Sequence, residues 1–188
     1  LDSYVEMLDP NRSYFTAADV ARFEQYRGTL DNALQHSDLQ PAFEIYNLYL
    51  QRVQERVAFA RARLAEPFDF TVDEDYRYDR SEAAWLPNRA ALDDHWRKRV
   101  KNDYLRLKLA KKEHDEIIDL LDERYRNLDR RVSELNSDDI FNFFMNAFAL
   151  AIEPHTAYLS PRGSDNFEIS MKLSLEGIGA LLGRESEY

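Results

Sequence analysis

Between Pro41 and Pro67, apolar residues recur as Phe43, Tyr46, Leu50, Val53, Val57, Ala60 and Leu64, in alternating steps of three and four. That spacing lines one face of an α-helix; a strand would need alternation every second residue. A helix this long with so continuous a stripe has to lie against other helices. Pro41 fits its first turn, where a missing N–H costs nothing, and Pro67 ends it. The stripe is read as intramolecular packing rather than as a groove for a partner.

The flanking sequence keeps the same period. Leu1 to Leu8 reads as a short helix ended by Asp9-Pro10, since proline disfavours α geometry in the residue before it. Thr16 stands where an N-cap belongs, with Asp19 as a shorter capping-box acid, and Val20, Phe23, Leu30 and Leu34 carry that helix to about His36. Leu92, Trp96, Val100 and Leu107 mark a helix with a basic end, and Glu113, Asp115 and Glu116 open the next; both placements suit the helix dipole. In the second of these, Ile118, Leu121, Tyr125, Leu128, Val132 and Leu135 predict pairing with a neighbour as an α-hairpin. Ser137 is the expected N-cap of a helix running from Ile140 to Ile152. That helix is apolar nearly all round (Phe141, Phe143, Phe144, Met145, Phe148, Leu150), which predicts the buried centre of the bundle. Residues 66–89 keep no period and read as an extended segment pinned by Phe68, Phe70 and Trp85. Ser164 to Met171 reads as one more short helix.

With 44% hydrophobic and 13% aromatic residues among 188, the chain can bury a substantial core. A formal charge of −10 and a pI near 4.9 argue against a nucleic-acid backbone or an anionic membrane surface as the main partner. The short basic runs Arg97-Lys98-Arg99 and Lys111-Lys112 lie within helical patterns and read as solvated faces. There is no cysteine, so disulfides, thiol catalysis and cysteine-ligated metal are excluded. No apolar run approaches the roughly 18 residues that span a bilayer. The chain starts at Leu1 without a methionine and reads as an excised piece.

After these helices the pattern changes. Leu173 to Leu182 reads as a short strand, a two-glycine loop and a second strand. Gly177 and Gly179 flank one apolar residue, so the loop can turn successive backbone N–H groups inward without Cβ obstruction. Such a concavity binds an anion, a peptide C-terminal carboxylate among them, and the following strand offers a free edge to an extended peptide or to another chain. On the residues alone, an ordinary hairpin loop is the better reading, since many hairpins carry two glycines.

Catalytic signatures are weak. His155 lies between Pro154 and Thr156 with no partner at metal-ligand spacing, and reads as a structural hydrogen-bonding residue of a loop bracketed by Pro154 and Pro161. His114 belongs to a helix start; His36 and His95 stand isolated. Nothing in the sequence brings Glu153, Asp165 and Glu176 together as paired carboxylates. Ser160 and Ser174 lack a nucleophile signature. No metal and no cofactor is expected.

Pro154-His155-Thr156-Ala157-Tyr158-Leu159-Ser160-Pro161, followed by Phe167 and by Leu173 to Ala180, resembles the tail-specific (carboxy-terminal processing) proteases of bacteria, where the helical region enters a PDZ domain. Leu8-Asp9-Pro10-Asn11-Arg12-Ser13-Tyr14-Phe15, Tyr46-Asn47-Leu48-Tyr49, Pro67-Phe68-Asp69-Phe70-Thr71 and Ala84-Trp85 are similar to the same family, so the resemblance runs over essentially the whole chain. It implies a periplasmic serine endopeptidase as the parent, with a serine nucleophile and lysine base beyond this piece, and it places His155 at the hinge. It implies that Gly177, Ile178, Gly179 and Ala180 form the loop that receives apolar C-termini of protein substrates, and that a lipoprotein adaptor is a further partner. The expected architecture is an all-α multi-helix bundle over residues 1–170, then the first β-strands of a truncated PDZ domain at 171–188. Exposed PDZ strands would also offer a route to a homo-oligomer. The rival from another class is a non-enzymatic helical scaffold or adaptor; no period of about 34 or 40 residues recurs, which counts against repeats. A peripheral membrane helix protein fails on the acidic balance.

Overall fold

The computed structural model describes residues 1–30, 39–153 and 155–172. Seven α-helices occur among them: α1 (Asp2–Leu8), α2 (Ala17–Phe23), α3 (Gln40–Leu64), α4 (Arg89–Leu109), α5 (His114–Ser133), α6 (Ser137–Ile152) and α7 (Pro161–Lys172). The described residues are thus all-helical, as expected. The strand–loop–strand segment assigned to the start of a PDZ domain lies outside them.

The centre of the bundle is α3. At 25 residues it is about 37 Å long, and it touches α1, α4, α5 and α6. Its buried stripe contains Ala42, Ile45, Tyr46, Val53, Val57, Ala60 and Leu64, while Phe43 and Leu50 are half-buried. Two buried tyrosines tie it to its neighbours: Tyr46 donates its hydroxyl to Val132 O of α5 at 2.7 Å, and Tyr4 of α1 donates to Ala42 O at 3.1 Å. Each bond satisfies a polar atom that burial would otherwise penalise.

The place predicted for the buried centre, Ile140 to Ile152, is corrected. In α6 the residues Ile140, Phe144 and Ala147 are buried against α1 and α3, with Tyr4 edge-on to Phe144 at 5.4 Å, whereas Phe143, Leu150 and Ile152 are exposed. One face of α6 meets the described bundle, and the other does not. Its N-cap is also one residue earlier than expected. Asn136 accepts from the N–H groups of Asp138 and Asp139, and Asp139 accepts from Asn136 N–H, a reciprocal capping box that leaves Ser137 inside the first turn.

The capping box of Thr16 and Asp19 forms as expected, but α2 stops at Phe23 and gives way to a 3₁₀ turn at Glu24–Tyr26 rather than continuing as one helix. Residues 31–38 lie outside the described residues. Helices α4 and α5 pack together as the expected hairpin. Their turn places Lys111 at φ 62°, with its N–H on Lys108 O and that of Lys112 on Leu107 O, so the last carbonyls of α4 are satisfied without a glycine. Finally, α7 begins at Pro161, three residues before the expected Ser164. Ser160 Oγ accepts from Gly163 N–H, and a proline in the first turn loses nothing.

Candidate functional site

Two polar loops, at residues 9–16 and 153–160, join helices of this bundle. The first joins α1 to α2. Asp9 is fully buried, and its carboxylate accepts the N–H groups of Ser13 (2.8 Å), Tyr14 (2.8 Å) and Phe15 (2.9 Å). Burial pushes this carboxyl above its usual value, opposed by those three amides and by the charge of Arg80. Asn11 then grips the extended segment from both sides: its Nδ2 donates to Tyr78 O at 3.0 Å and its Oδ1 accepts from Arg80 N–H at 2.7 Å. Arg12, at φ 49°, donates to Ala83 O and to Glu6, and its guanidinium lies 5.3 Å from the Trp85 ring centroid. A left-handed conformation at a non-glycine residue costs about 1 kcal/mol or more, and this set of contacts holds it in place.

The extended segment 66–88 is pinned as expected. Phe68 and Phe70 lie on Tyr104 of α4 at 4.9 and 5.9 Å, and Trp85 meets Phe15 at 6.3 Å. It ends in a parallel bridge between Leu86 and Thr16, with Ala17 N–H on Leu86 O at 2.8 Å. Glu74 fastens its middle to α4 through Arg97 (3.0 Å) and Lys101 (2.6 Å), which hold its carboxyl at about 2. His95, isolated in the sequence, is buried beneath this segment, 5.6 Å from the Tyr76 ring; burial and the nearby cation Arg80 lower it to about 4.

The second loop joins α6 to α7 and is where the resemblance placed the hinge. Glu153 Oε2 accepts from His155 N–H at 3.0 Å and from the Thr156 hydroxyl at 2.9 Å. Asn146 fastens the loop to α6, since its Oδ1 accepts from Tyr158 N–H at 3.0 Å and its Nδ2 donates to Asn142 O at 2.8 Å. The Tyr158 ring stands edge-on to Phe141 at 5.7 Å, above an open cavity of about 710 Å³ rimmed by Asn136, Asp138, Asp139 and Ser160. His155 is exposed, and it bonds within the loop through its backbone N–H. His114 Nδ1 pairs with the Tyr104 hydroxyl at 2.9 Å, and Ser160 Oγ is engaged in capping α7.

Gly177, Ile178, Gly179 and Ala180, the residues expected to bind a carboxylate, lie outside the described residues, as do Glu176 and Ser174. Among the described residues no group of three or more His, Asp or Glu side chains is placed to hold a metal ion, and no helix is long and apolar enough to cross a membrane. Sequence reasoning passed over Asp9, Asn11 and Asn146 as loop anchors. A signal is present for Asp9 alone: the pattern Leu-Asp-Pro-x-x-x-Tyr-Phe-Thr at 8–16 recurs as Ile-Glu-Pro-x-x-x-Tyr-Leu-Ser at 152–160.

These contacts define a helical packing module, in which polar side chains cap helices, fasten loops and pair charges. The sequence model described as "Tail specific protease N-terminal domain" matches residues 1–162, and the chain belongs to that family. It is 40% identical over 187 residues to a tail-specific protease of Haemophilus influenzae (strain ATCC 51907 / DSM 11121 / KW20 / Rd), an alignment covering 99% of this chain and 27% of that protein. The chain thus spans about a quarter of that relative's length.

Proposed function

We propose that this chain is the N-terminal helical part of a periplasmic serine-type endopeptidase that degrades proteins recognised by their apolar C-terminal tails. The observation that carries this reading is the family match over 1–162 together with the 40% identity to a protein called a tail-specific protease. The helical part holds the PDZ domain and the protease core in position, and the serine and lysine of the reaction belong to the remainder of the parent. Residues 1–188 by themselves are inactive. Gly177, Ile178, Gly179 and Ala180 receive the substrate carboxylate through backbone N–H groups. A lipoprotein adaptor docks on the helical surface. The periplasmic location is supported by the family resemblance alone.

The test is binding and cleavage of a peptide with an apolar tail and free carboxylate, against its amidated twin, by the full-length parent. Cleavage confined to the free acid is expected, with loss of turnover in Gly179→Val, whose Cβ crowds the amide concavity. Equal handling of acid and amide would remove the carboxylate-loop assignment, and no cleavage of either would remove the protease reading.

A further inference from the structure

Residues 8–23 and 152–167 share a pattern when aligned without a gap. Leu8 corresponds to Ile152, Asp9 to Glu153, Pro10 to Pro154, Tyr14 to Tyr158, Phe15 to Leu159, Thr16 to Ser160 and Phe23 to Phe167. The geometry repeats with the sequence. Each copy leaves a helix through a turn in which the N–H of Arg12 or Thr156 reaches the carbonyl of Asp9 or Glu153, at 3.1 Å in both. Each then starts a new helix from a hydroxyl cap: Thr16 Oγ1 accepts from Asp19 N–H at 3.2 Å, and Ser160 Oγ from Gly163 N–H at 3.1 Å. The helices entering the two copies, α1 and α6, pack on one another. One difference is visible in the turn. Asp9 gathers the amides of Ser13, Tyr14 and Phe15, whereas Glu153, one methylene longer, holds His155 N–H and the Thr156 hydroxyl.

The two copies differ most in what covers them. Leu8 and Phe15 are 6% and 0% exposed, while Ile152 and Leu159 are 70% and 46% exposed. The surface that receives the first copy is aromatic and helical: Phe15 meets Tyr49 of α3 at 5.9 Å and Trp85 at 6.3 Å, and Tyr14 meets Trp96 of α4 at 5.6 Å. The first copy also hydrogen-bonds to an extended chain, through Ala17 N–H and Leu86 O, a bond that Pro161 at the same position of the second copy cannot make. In the second copy the amides of Ala157 and Leu159 make no hydrogen bond among the described residues. An apolar residue that is buried in one copy and exposed at the same position of the other marks a surface built to be covered.

We propose that the 152–160 loop is a docking arm, and that Ile152 and Leu159 insert into an aromatic-lined helical surface supplied by the remainder of the same polypeptide. Two observations favour that source. The matched relative is nearly four times the aligned length, so a large part of a protein of that size lies outside this structure. Within the chain, the aromatic site that receives this kind of element is already filled by Phe15, which argues against a second copy of the chain as the occupant. The inference rests on the reading that the chain is part of a longer protease, and it places 152–160 as the joint that carries that protease's other domains.

The test is amide hydrogen exchange in the full-length parent. The Ala157 and Leu159 amides are expected to exchange on the order of 100-fold more slowly than in a free peptide, independent of protein concentration. Leu159→Glu should return them to near the free-peptide rate while the amides of α3 stay protected, and Leu159→Met should keep the protection. If Leu159→Glu unfolds the protein, loss of α3 protection reports it, and Leu159→Ala replaces it. Free-peptide exchange in the wild type overturns the proposal, as does protection that Leu159→Glu leaves unchanged. Protection that rises with protein concentration assigns the surface to a second copy and overturns it too. Peptide cleavage by the wild-type parent, measured alongside, separates failure of this inference from failure of the protease reading.

Discussion

The indole N–H of Trp96 donates to the carbonyl oxygen of Ser13 at 2.6 Å, joining α4 to the buried loop between α1 and α2. Trp96 is fully buried, with Tyr14 at 5.6 Å, Tyr125 at 6.4 Å and the Arg99 guanidinium 4.3 Å from its ring centroid. One side chain therefore fills the space between helices and satisfies a carbonyl that the tight loop cannot pair internally. Trp96→Phe keeps an aromatic ring but leaves a void and an unpaired buried acceptor, so it should cost about 2–4 kcal/mol. Equilibrium urea unfolding measures this; a loss under about 0.5 kcal/mol would show that the bond contributes little.

Phe144 is the deepest aromatic residue of α6, 3% exposed and edge-on to Tyr4. Phe144→Ala is expected to lose about 3–5 kcal/mol, the range for a buried phenylalanine. Phe143→Ala, on the exposed side of the same helix, should change stability by less than about 1 kcal/mol in residues 1–188. Equal losses at the two positions would mean that α6 is buried on both faces.

That pair of neighbours also shows what was legible in the sequence. The steps of three and four in α3 and α5 gave most of their buried faces, because a stripe packs one way against neighbouring helices, although in α5 Ile117 is buried where Ile118 was expected. Thr16 and Asp19 gave a cap, since the capping box is a local exchange of hydrogen bonds. For α6 the composition showed that its side chains favour burial, but not which part of the protein supplies the cover. Asp9 and Asn146 escaped notice for a related reason. Each acts on backbone N–H groups that the chain's own path brings back to it, and a single polar letter carries no record of that path. The carboxylate loop at Gly177 to Ala180 was legible as a pattern and lies outside the described residues.

The three-amide grip of Asp9 gives a test that separates charge from shape. In Asp9→Asn one carboxylate oxygen becomes an NH₂ group facing backbone N–H donors, so donor meets donor in a buried site. A loss of about 1–3 kcal/mol is expected, together with faster exchange of the Ser13, Tyr14 and Phe15 amides. The helices far from the loop should keep their protection. Unchanged exchange at those three amides would show that the loop is held by its apolar residues and not by the carboxylate.

His95 supplies the pH dependence. Buried against Tyr76 with its Nε2 unpaired, and flanked by Arg80, Arg99 and Lys98, it is held at about 4, below its ordinary value of 6.5. Between those two values the unfolded chain carries the proton and the folded one does not. The stability that this histidine contributes is therefore fully present above about pH 6.5 and falls as the pH drops towards 4, with a slope on the order of 1 kcal/mol per pH unit at its steepest. Asp94 is the nearby group that opposes the shift, while the Asp94 carboxyl is itself lowered through Arg97 and Lys98 against the raising effect of burial. His95→Phe removes the titrating group and keeps a ring against Tyr76. Unfolding free energies measured from pH 7 to pH 4.5 should therefore fall less steeply in His95→Phe than in the wild type. Parallel curves for the two proteins would mean that the acid sensitivity of the bundle comes from its carboxylates and not from this buried imidazole.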